Sequence, residues 1–136
     1  MTVRYLLDTD TCIDLLRSVP SVIKRADGIS PEYCAVSTVT TYELMTGAAR
    51  CREPRREQGK ITTLVEALHE IPFHRRAAER AAEVRADLES QGRMIGAYDV
   101  LLAGQALADG LMLVTSNTAE FRRVKGLRLE DWRQAV

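Results

Sequence analysis

The stretch Arg4-Tyr-Leu-Leu-Asp-Thr-Asp-Thr-Cys-Ile-Asp-Leu-Leu-Arg17 decides the fold, because its apolar pattern changes from that of a strand to that of a helix at Asp8. The short apolar run before Asp8 predicts a buried strand. Apolar residues at positions 13, 15 and 16 then predict a helix over 11–17, with Asp10 as its N-cap. A buried strand followed at once by a helix is the beginning of a parallel α/β sheet.

The same alternation of strand-like and helical segments continues to the end of the chain. Short apolar runs predict further strands at 34–36, 71–73, 111–115 and 127–129, and Pro72 favours an edge position for the second of these. Helical patterns fill the intervals at 20–27, 40–49, 57–70, 74–91, 98–108 and 119–124. We therefore predict one α/β domain over residues 1–136, a parallel sheet of four to five short strands flanked by helices on both faces.

Composition excludes several classes of protein. With 46% hydrophobic and 28% charged residues, the 136-residue chain has the balance of a soluble globular protein. Its apolar runs are too short to cross a bilayer, and charged residues break the N-terminal one, so we expect no membrane association and a cytoplasmic location. The three cysteines lack C-x-x-C spacing, which argues against a disulfide framework or a structural zinc site.

Three acidic residues fall where ligands bind in α/β sheets, beyond the carboxyl ends of the strands. Asp8 follows the first strand, Glu43 lies in the helix after the second, and Asp99 opens the helix that leads to the strand at 111–115. Asn117 follows that strand and can join them. Clustered carboxylates repel one another unless a cation or a proton intervenes. Oxygen ligands without Cys or His suit Mg²⁺ or Mn²⁺, ions that can activate a water at a phosphate.

Each acid taken alone also has an ordinary structural explanation. Asp8 can simply end a strand, Glu43 can be a solvated helix residue, and Asp99 is favoured near a helix N-terminus by the helix dipole. Two of the acids, however, lie in the apolar contexts Tyr42-Glu43-Leu44 and Tyr98-Asp99-Val100. An unpaired carboxylate in apolar surroundings costs free energy, and this cost favours a shared ion.

Four groups of residues follow one another along nearly the whole chain. They are Leu6-Leu-Asp-Thr-Asp-Thr-Cys-Ile13; Ser37-Thr-Val-Thr-Thr-Tyr-Glu-Leu44 with Gly47-Ala48; Gly92-Arg-Met-Ile-Gly96 with Asp99 and Leu102-Ala103; and Leu113-Val-Thr-Ser-Asn117 with Glu120-Phe121, Val124 and Gly126-Leu-Arg-Leu-Glu-Asp-Trp132. Together and in this order they resemble the motifs of PIN-domain ribonucleases, in particular the VapC toxins of bacterial toxin–antitoxin pairs.

The resemblance implies a PIN fold and a metal-dependent endoribonuclease that cleaves RNA, commonly tRNA, and so inhibits translation. It implies that Asp8, Glu43 and Asp99 bind Mg²⁺, with Mn²⁺ as the alternative ion. Asn117 joins the implied catalytic residues at a position where many relatives have a fourth acid, and Glu120 is a candidate to compensate. The implied protein partners are a VapB-type antitoxin that blocks the site and a second copy of the chain in a homodimer.

Arginine outweighs lysine among the 19 basic residues, although the formal net charge is zero. The planar guanidinium group suits bidentate contacts with phosphate. The candidates for RNA contact are Arg93, Arg122 and Arg123, with Arg93 the first choice because its loop leads directly to Asp99.

Two other classes of function are compatible with parts of this pattern. One is a nuclease-inactive PIN module that acts only within a repressor complex, and the presence of all three acids argues against it. The other is a phosphorylated receiver-like signalling domain, which needs a lysine at the end of a late strand, where this chain has Thr115-Ser-Asn117. Cleavage of RNA that depends on both the acids and Mg²⁺ separates the three possibilities.

Overall fold

The strands form one wholly parallel sheet with the order β3-β2-β1-β4-β5. A computed structural model describes residues 2–134, so the ends of the predicted domain, residues 1, 135 and 136, lie outside the described part. The strands are β1 Tyr5–Leu7, β2 Cys34–Ser37, β3 His69–Ile71, β4 Met112–Val114 and β5 Leu129–Glu130. The predicted α/β class and the parallel sheet of short strands are thereby confirmed.

Helices cover both faces of this sheet. They are α1 Thr9–Leu16, α2 Pro20–Asp27, α3 Thr38–Ala49, α4 Pro54–Ala67, α5 Arg75–Ser90, α6 Ala97–Asp109 and α7 Thr118–Phe121, with a 3-10 turn at Pro31–Tyr33. Successive side chains of β1 point to opposite faces, so Leu6 packs with α5 and α6 while Leu7 packs with α1 to α4. Within residues 2–134, no helix has both the length and the apolar character needed to span a membrane.

The predicted N-cap of the first helix was wrong. Asp8, not Asp10, caps α1, because its carboxylate accepts a hydrogen bond from the Thr11 amide at 2.8 Å. The helix therefore begins at Thr9, and Asp10 is an exposed acid in its first turn, where the helix dipole favours a negative charge. The consequence for the site is that the backbone around Asp8 is fixed from both sides, by β1 and by α1.

The predicted boundary between the helix at 57–70 and the strand at 71–73 was misplaced. Helix α4 begins at Pro54 and ends at Ala67, and β3 occupies His69–Ile71. Proline has no amide to donate to a neighbouring strand, so the pairing with β2 ends before Pro72. The edge position predicted for this strand is confirmed. The last strand is likewise displaced, from the predicted 127–129 to Leu129–Glu130.

The contact between α5 and α6 has no room for a side chain at Gly104. A Cβ atom there would lie 2.5 Å from the backbone Cα and N atoms of Ala81. We expect Gly104→Ala to lower the free energy of unfolding by about 1–3 kcal/mol, because two helix backbones must move apart. Urea or thermal unfolding measures this effect.

Gly59→Ala is the matched control, because Gly59 lies within α4 and a Cβ atom there meets nothing within 4 Å. Alanine is the better helix former, so this variant should gain up to about 1 kcal/mol. Equal stability of the two variants would contradict the close packing of α5 on α6.

Candidate functional site

Asp8 is the first residue beyond the central strand, at the carboxyl edge of the sheet. Its backbone amide donates to the Val114 carbonyl at 3.0 Å, and the Thr11 hydroxyl donates to the same carbonyl at 3.0 Å. These two bonds fix the end of β1 and the start of α1 against the end of β4. The segments on either side of Asp8 are therefore rigid.

Asp8 is a buried residue, only 3% exposed. Burial raises its pKa to about 6, although hydrogen bonds from the side chain of Thr115 and from Thr11 act in the opposite direction. The loss of water around the charge outweighs these donors, and the nearby charge of Asp10 raises the pKa a little further. The metal-free protein thus holds a carboxylate in surroundings that disfavour its charge.

Glu43 reaches the same edge from α3 and is held there by a threonine. The Thr9 hydroxyl donates to Glu43 Oε1 at 2.7 Å, and Thr9 Oγ1 also lies 3.3 Å from Thr40 Oγ1. Thr9 directly follows Asp8, so this bond ties the Glu43 carboxylate to the residue next to Asp8. Glu43 itself is partly exposed.

Asp99 lies in the first turn of α6 and is half-buried. Desolvation is the main cause that raises its pKa to about 6, followed by the negative charges of Asp8, Glu120, Glu43 and Asp10. These carboxylates lie near enough to Asp99 for their charges to affect its pKa. Gly96 leaves room for the Asp99 carboxylate, since a Cβ atom there would lie 2.9 Å from Asp99 Oδ2.

Asn117 is not a free ligand in this arrangement. Its Nδ2 donates to Glu120 Oε2 at 2.9 Å, and its backbone amide donates to the Thr115 hydroxyl at 3.0 Å. Asn117 therefore orients Glu120, whose charge acts on Asp99. The side-chain contact of Asn117 is with Glu120, and its role as a fourth catalytic residue stays a prediction.

The chemistry of the donor set fits a hard divalent cation. All the clustered side chains are carboxylates, assisted by hydroxyl and amide groups, and their charges raise the pKa of Asp99. Among residues 2–134, no three His, Cys, Asp or Glu side chains are close enough, as placed, to hold an ion together.

Three threonines that the sequence did not single out form hydrogen bonds around the acids. Thr9, Thr11 and Thr115 supply the hydroxyl groups that hold Glu43, the end of β4, Asp8 and Asn117. All three lie inside the quoted motifs, and their frequency next to acids was the only signal available from sequence.

The candidate arginines have different surroundings. Arg93 and Arg122 are exposed. Arg123 is partly buried, and its Nη1 donates to the Met94 carbonyl at 2.9 Å. Arg123 thus anchors the loop before Asp99, a structural role that sequence did not indicate, while Arg93 and Arg122 have guanidinium groups open to solvent.

An open, mainly apolar groove of about 420 Å³ borders Glu43. It runs between α1, α3 and α4, and Arg17 and Lys60 are among its charged lining residues. Its apolar lining comprises Ile13, Leu16, Leu44, Ala48 and Ile61, with Gly47 and Cys51. The groove offers an extended apolar surface that ends at the acidic cluster.

Comparison with known proteins gives a consistent result. The PIN domain family model matches residues 5–127. A protein of Shigella flexneri named tRNA(fMet)-specific endonuclease VapC is 36% identical over 129 residues, which cover 95% of this chain and 98% of the relative. Ribonuclease VapC2 of Haemophilus influenzae is 32% identical over 130 residues, covering 95% of this chain and 98% of the relative.

The solved structures agree with the sequence relatives. The crystal structure of DNA-bound VapBC from Salmonella typhimurium contains a chain that superposes with a TM-score of 0.91 and 32% identity, covering 96% of this chain and 98% of that one. The match extends over all the elements that carry Asp8, Glu43 and Asp99. On the strength of sequence, fold and site together, this chain belongs to the PIN-domain family, among the VapC ribonucleases.

Proposed function

We propose that this protein is the toxin of a type II toxin–antitoxin system, an Mg²⁺-dependent endoribonuclease that cleaves tRNA in the cytoplasm and so inhibits translation. The observation that carries the proposal is the convergence of Asp8, Glu43 and Asp99 from three separate elements, with their charges raising the pKa of Asp99. The name of the Shigella flexneri relative, a tRNA-specific endonuclease, supports the choice of substrate.

In this proposal Asp8, Glu43 and Asp99 hold the metal ion. Mg²⁺, or Mn²⁺ in its place, would supply an activated water and neutralise charge that develops on the phosphate. The protein's own contribution is to hold each ligand by hydrogen bonds, and the three carboxylates would draw closer together to share one ion. Thr9 holds Glu43, and the donors from Thr11 and Thr115 hold Asp8, the one buried acid of the three.

Incubation of purified protein with total tRNA, followed by mapping of the new RNA ends, tests this function. We expect discrete cleavage with Mg²⁺ and none with a chelator. Intact RNA under both conditions would favour the nuclease-inactive module. Cleavage that persists with a chelator would contradict the metal-dependent mechanism.

Asn117 variants should show how much the fourth position contributes. Asn117→Ala removes the donor to Glu120, so we expect weaker but detectable cleavage. Asn117→Asp places a second carboxylate beside Glu120, and divalent ions should bind more tightly because the added charge attracts a cation. Titration calorimetry with Mg²⁺ measures both variants. In the RNA-free wild type we expect one ion held mainly by Asp8, Glu43 and Asp99, and two equally tight ions would contradict this and make Glu120 a direct ligand.

We further propose a VapB-type antitoxin as partner, together with a homodimer of this chain. A basic side chain of the antitoxin would pair with the acids, and an apolar segment would lie in the groove that ends at Glu43. The structural neighbour from Salmonella typhimurium is itself a VapBC complex. Co-expression with the adjacent small open reading frame should restore growth and yield a co-purifying complex, and failure of both would count against the partner.

A further inference from the structure

We propose that Tyr42 and Tyr98 form a stacking surface for one unpaired base of the RNA, next to the phosphate that is cleaved. The inference rests on the proposed ribonuclease function and deepens it, because it adds a requirement for a single-stranded segment at the cleavage position. No part of the metal site itself is involved.

The two tyrosines form a fixed pair. Their ring centroids are 5.6 Å apart with an angle of 56° between the planes, and their hydroxyl oxygens are 3.4 Å apart. One ring stands on α3 and the other on α6, so rigid helices carry both. A preformed aromatic surface loses little conformational entropy when a ligand binds.

The pair is exposed although its side chains are largely apolar. Tyr42 is 55% exposed and Tyr98 is 42% exposed, and Met94 at 38% is the third large hydrophobic side chain exposed in the described chain. All three lie in segments that carry or lead to the acids. Tyr42 and Tyr98 are in contact, and exposed apolar side chains that adjoin, rather than lie scattered singly, mark a binding surface.

Each tyrosine is the sequence neighbour of a proposed catalytic residue. Tyr42 directly precedes Glu43, and Tyr98 directly precedes Asp99. An RNA whose phosphate reaches the acids therefore places a neighbouring nucleotide within reach of these rings.

A nucleobase fits this surface better than the sugar or the phosphate of the same RNA does. Bases are flat and uncharged, and aromatic side chains bind their faces with little regard to sequence. Within a duplex these faces are already stacked, so only an unpaired nucleotide can use the surface. The exposed Arg93, next to Met94, can meet the following phosphate.

Binding of a fluorescent single-stranded RNA to the Asp8→Asn protein tests the proposal without cleavage. Tyr42→Leu with Tyr98→Leu keeps an apolar surface but removes the aromatic faces, and we expect affinity to fall about 10-fold. In the double tyrosine variant the slope of log affinity against log salt should stay unchanged. Arg93→Ala should reduce this slope, because Arg93 contacts phosphate and the tyrosines do not.

Tyr33→Leu is the matched control. Tyr33 lies before β2, at the opposite edge of the sheet, where Arg4 stacks over its ring. Oligonucleotides with one abasic nucleotide, moved along the sequence, give the decisive comparison. At one position, the missing base should weaken RNA binding by the Tyr33→Leu protein. The same abasic RNA should bind the protein that lacks both Tyr42 and Tyr98 as well as the intact RNA does.

The outcomes separate the two levels of the proposal. If RNA cleavage depends on Asp8 but the abasic effect is the same with and without the tyrosine pair, the stacking surface is wrong and the function stands. If the wild type does not cleave RNA at all, the function itself fails. If the double variant instead converts a dimer to a monomer in sedimentation experiments, with RNA affinity unchanged, the pair binds a second copy and the proposal is overturned.

Discussion

Asp8→Asn should reduce the rate of RNA cleavage by at least about a thousand-fold and abolish toxicity while the protein stays folded. A metal ion lowers the free energy of the charged transition state by several kcal/mol, and each 1.36 kcal/mol corresponds to about ten-fold in rate. Asparagine preserves the size, the N-cap and the hydrogen bonds from Thr11 and Thr115, but it removes the charge that attracts the ion.

Single-turnover cleavage of a labelled tRNA measures this loss, and growth after induction measures toxicity. Asp27→Asn is the matched control, because Asp27 is an exposed acid at the end of α2 and belongs to none of the described contacts with Asp8, Glu43 or Asp99. The control should cleave at the wild-type rate. An Asp8→Asn protein that does the same would remove Asp8 from the proposed metal site.

The same substitution should make the metal-free protein more stable, by as much as about 3 kcal/mol above pH 6. The pKa of Asp8 rises from 3.8 to about 6 on folding. Between these two pH values the folded state therefore holds a proton that the unfolded state has lost. In the wild type this group stabilises the fold fully below pH 4 and ceases to do so as the pH rises through 6. Asparagine carries no charge to desolvate and avoids this loss.

Thermal unfolding in the presence of a chelator, from pH 4.5 to pH 8, measures the difference. The gap between variant and wild type should widen with pH and level off above about pH 6. Addition of Mg²⁺ should stabilise the wild type alone, because only it retains the full charge of the site. A wild type more stable than Asp8→Asn at pH 8 without metal would contradict the assigned cost of burying Asp8.

The local spacing of apolar residues predicted most of this fold, because the points where that spacing changes coincide with the boundaries between strands and helices. The change at Asp8 and the apolar runs at β2 and β4 were correctly placed. The errors came where two local signals compete. Asp8 and Asp10 are both good caps, and only the geometry of the Thr11 amide decides between them. The predicted helix over 57–70 included His69 and Glu70, which instead pair with β2 as a strand.

The sequence singled out three acids, whose role as metal ligands stays a prediction, but it did not indicate the contacts that hold them. Asp8, Glu43 and Asp99 follow from their place after strands and at helix starts, which depends on topology alone. The bond from Thr9 to Glu43 joins residues from two different helices, and no periodicity encodes it. The bond from Arg123 to the Met94 carbonyl is of the same kind. Such contacts are set by how helices pack, which sequence patterns describe only coarsely.

The pairing of β1 with β4 has a consequence for the order of events during synthesis. The first strand of the chain, β1, pairs with β4, which lies near the C-terminal end of the chain. Tyr5 pairs with Met112, and the Asp8 amide donates to the Val114 carbonyl. A ribosome therefore exposes Asp8 long before the segment that fixes it has been translated. We expect nascent chains, and any truncation that ends before β4, to be harmless to the translation apparatus. We therefore expect the activity to appear only once the chain is complete, which leaves the time of translation for the proposed antitoxin to be made.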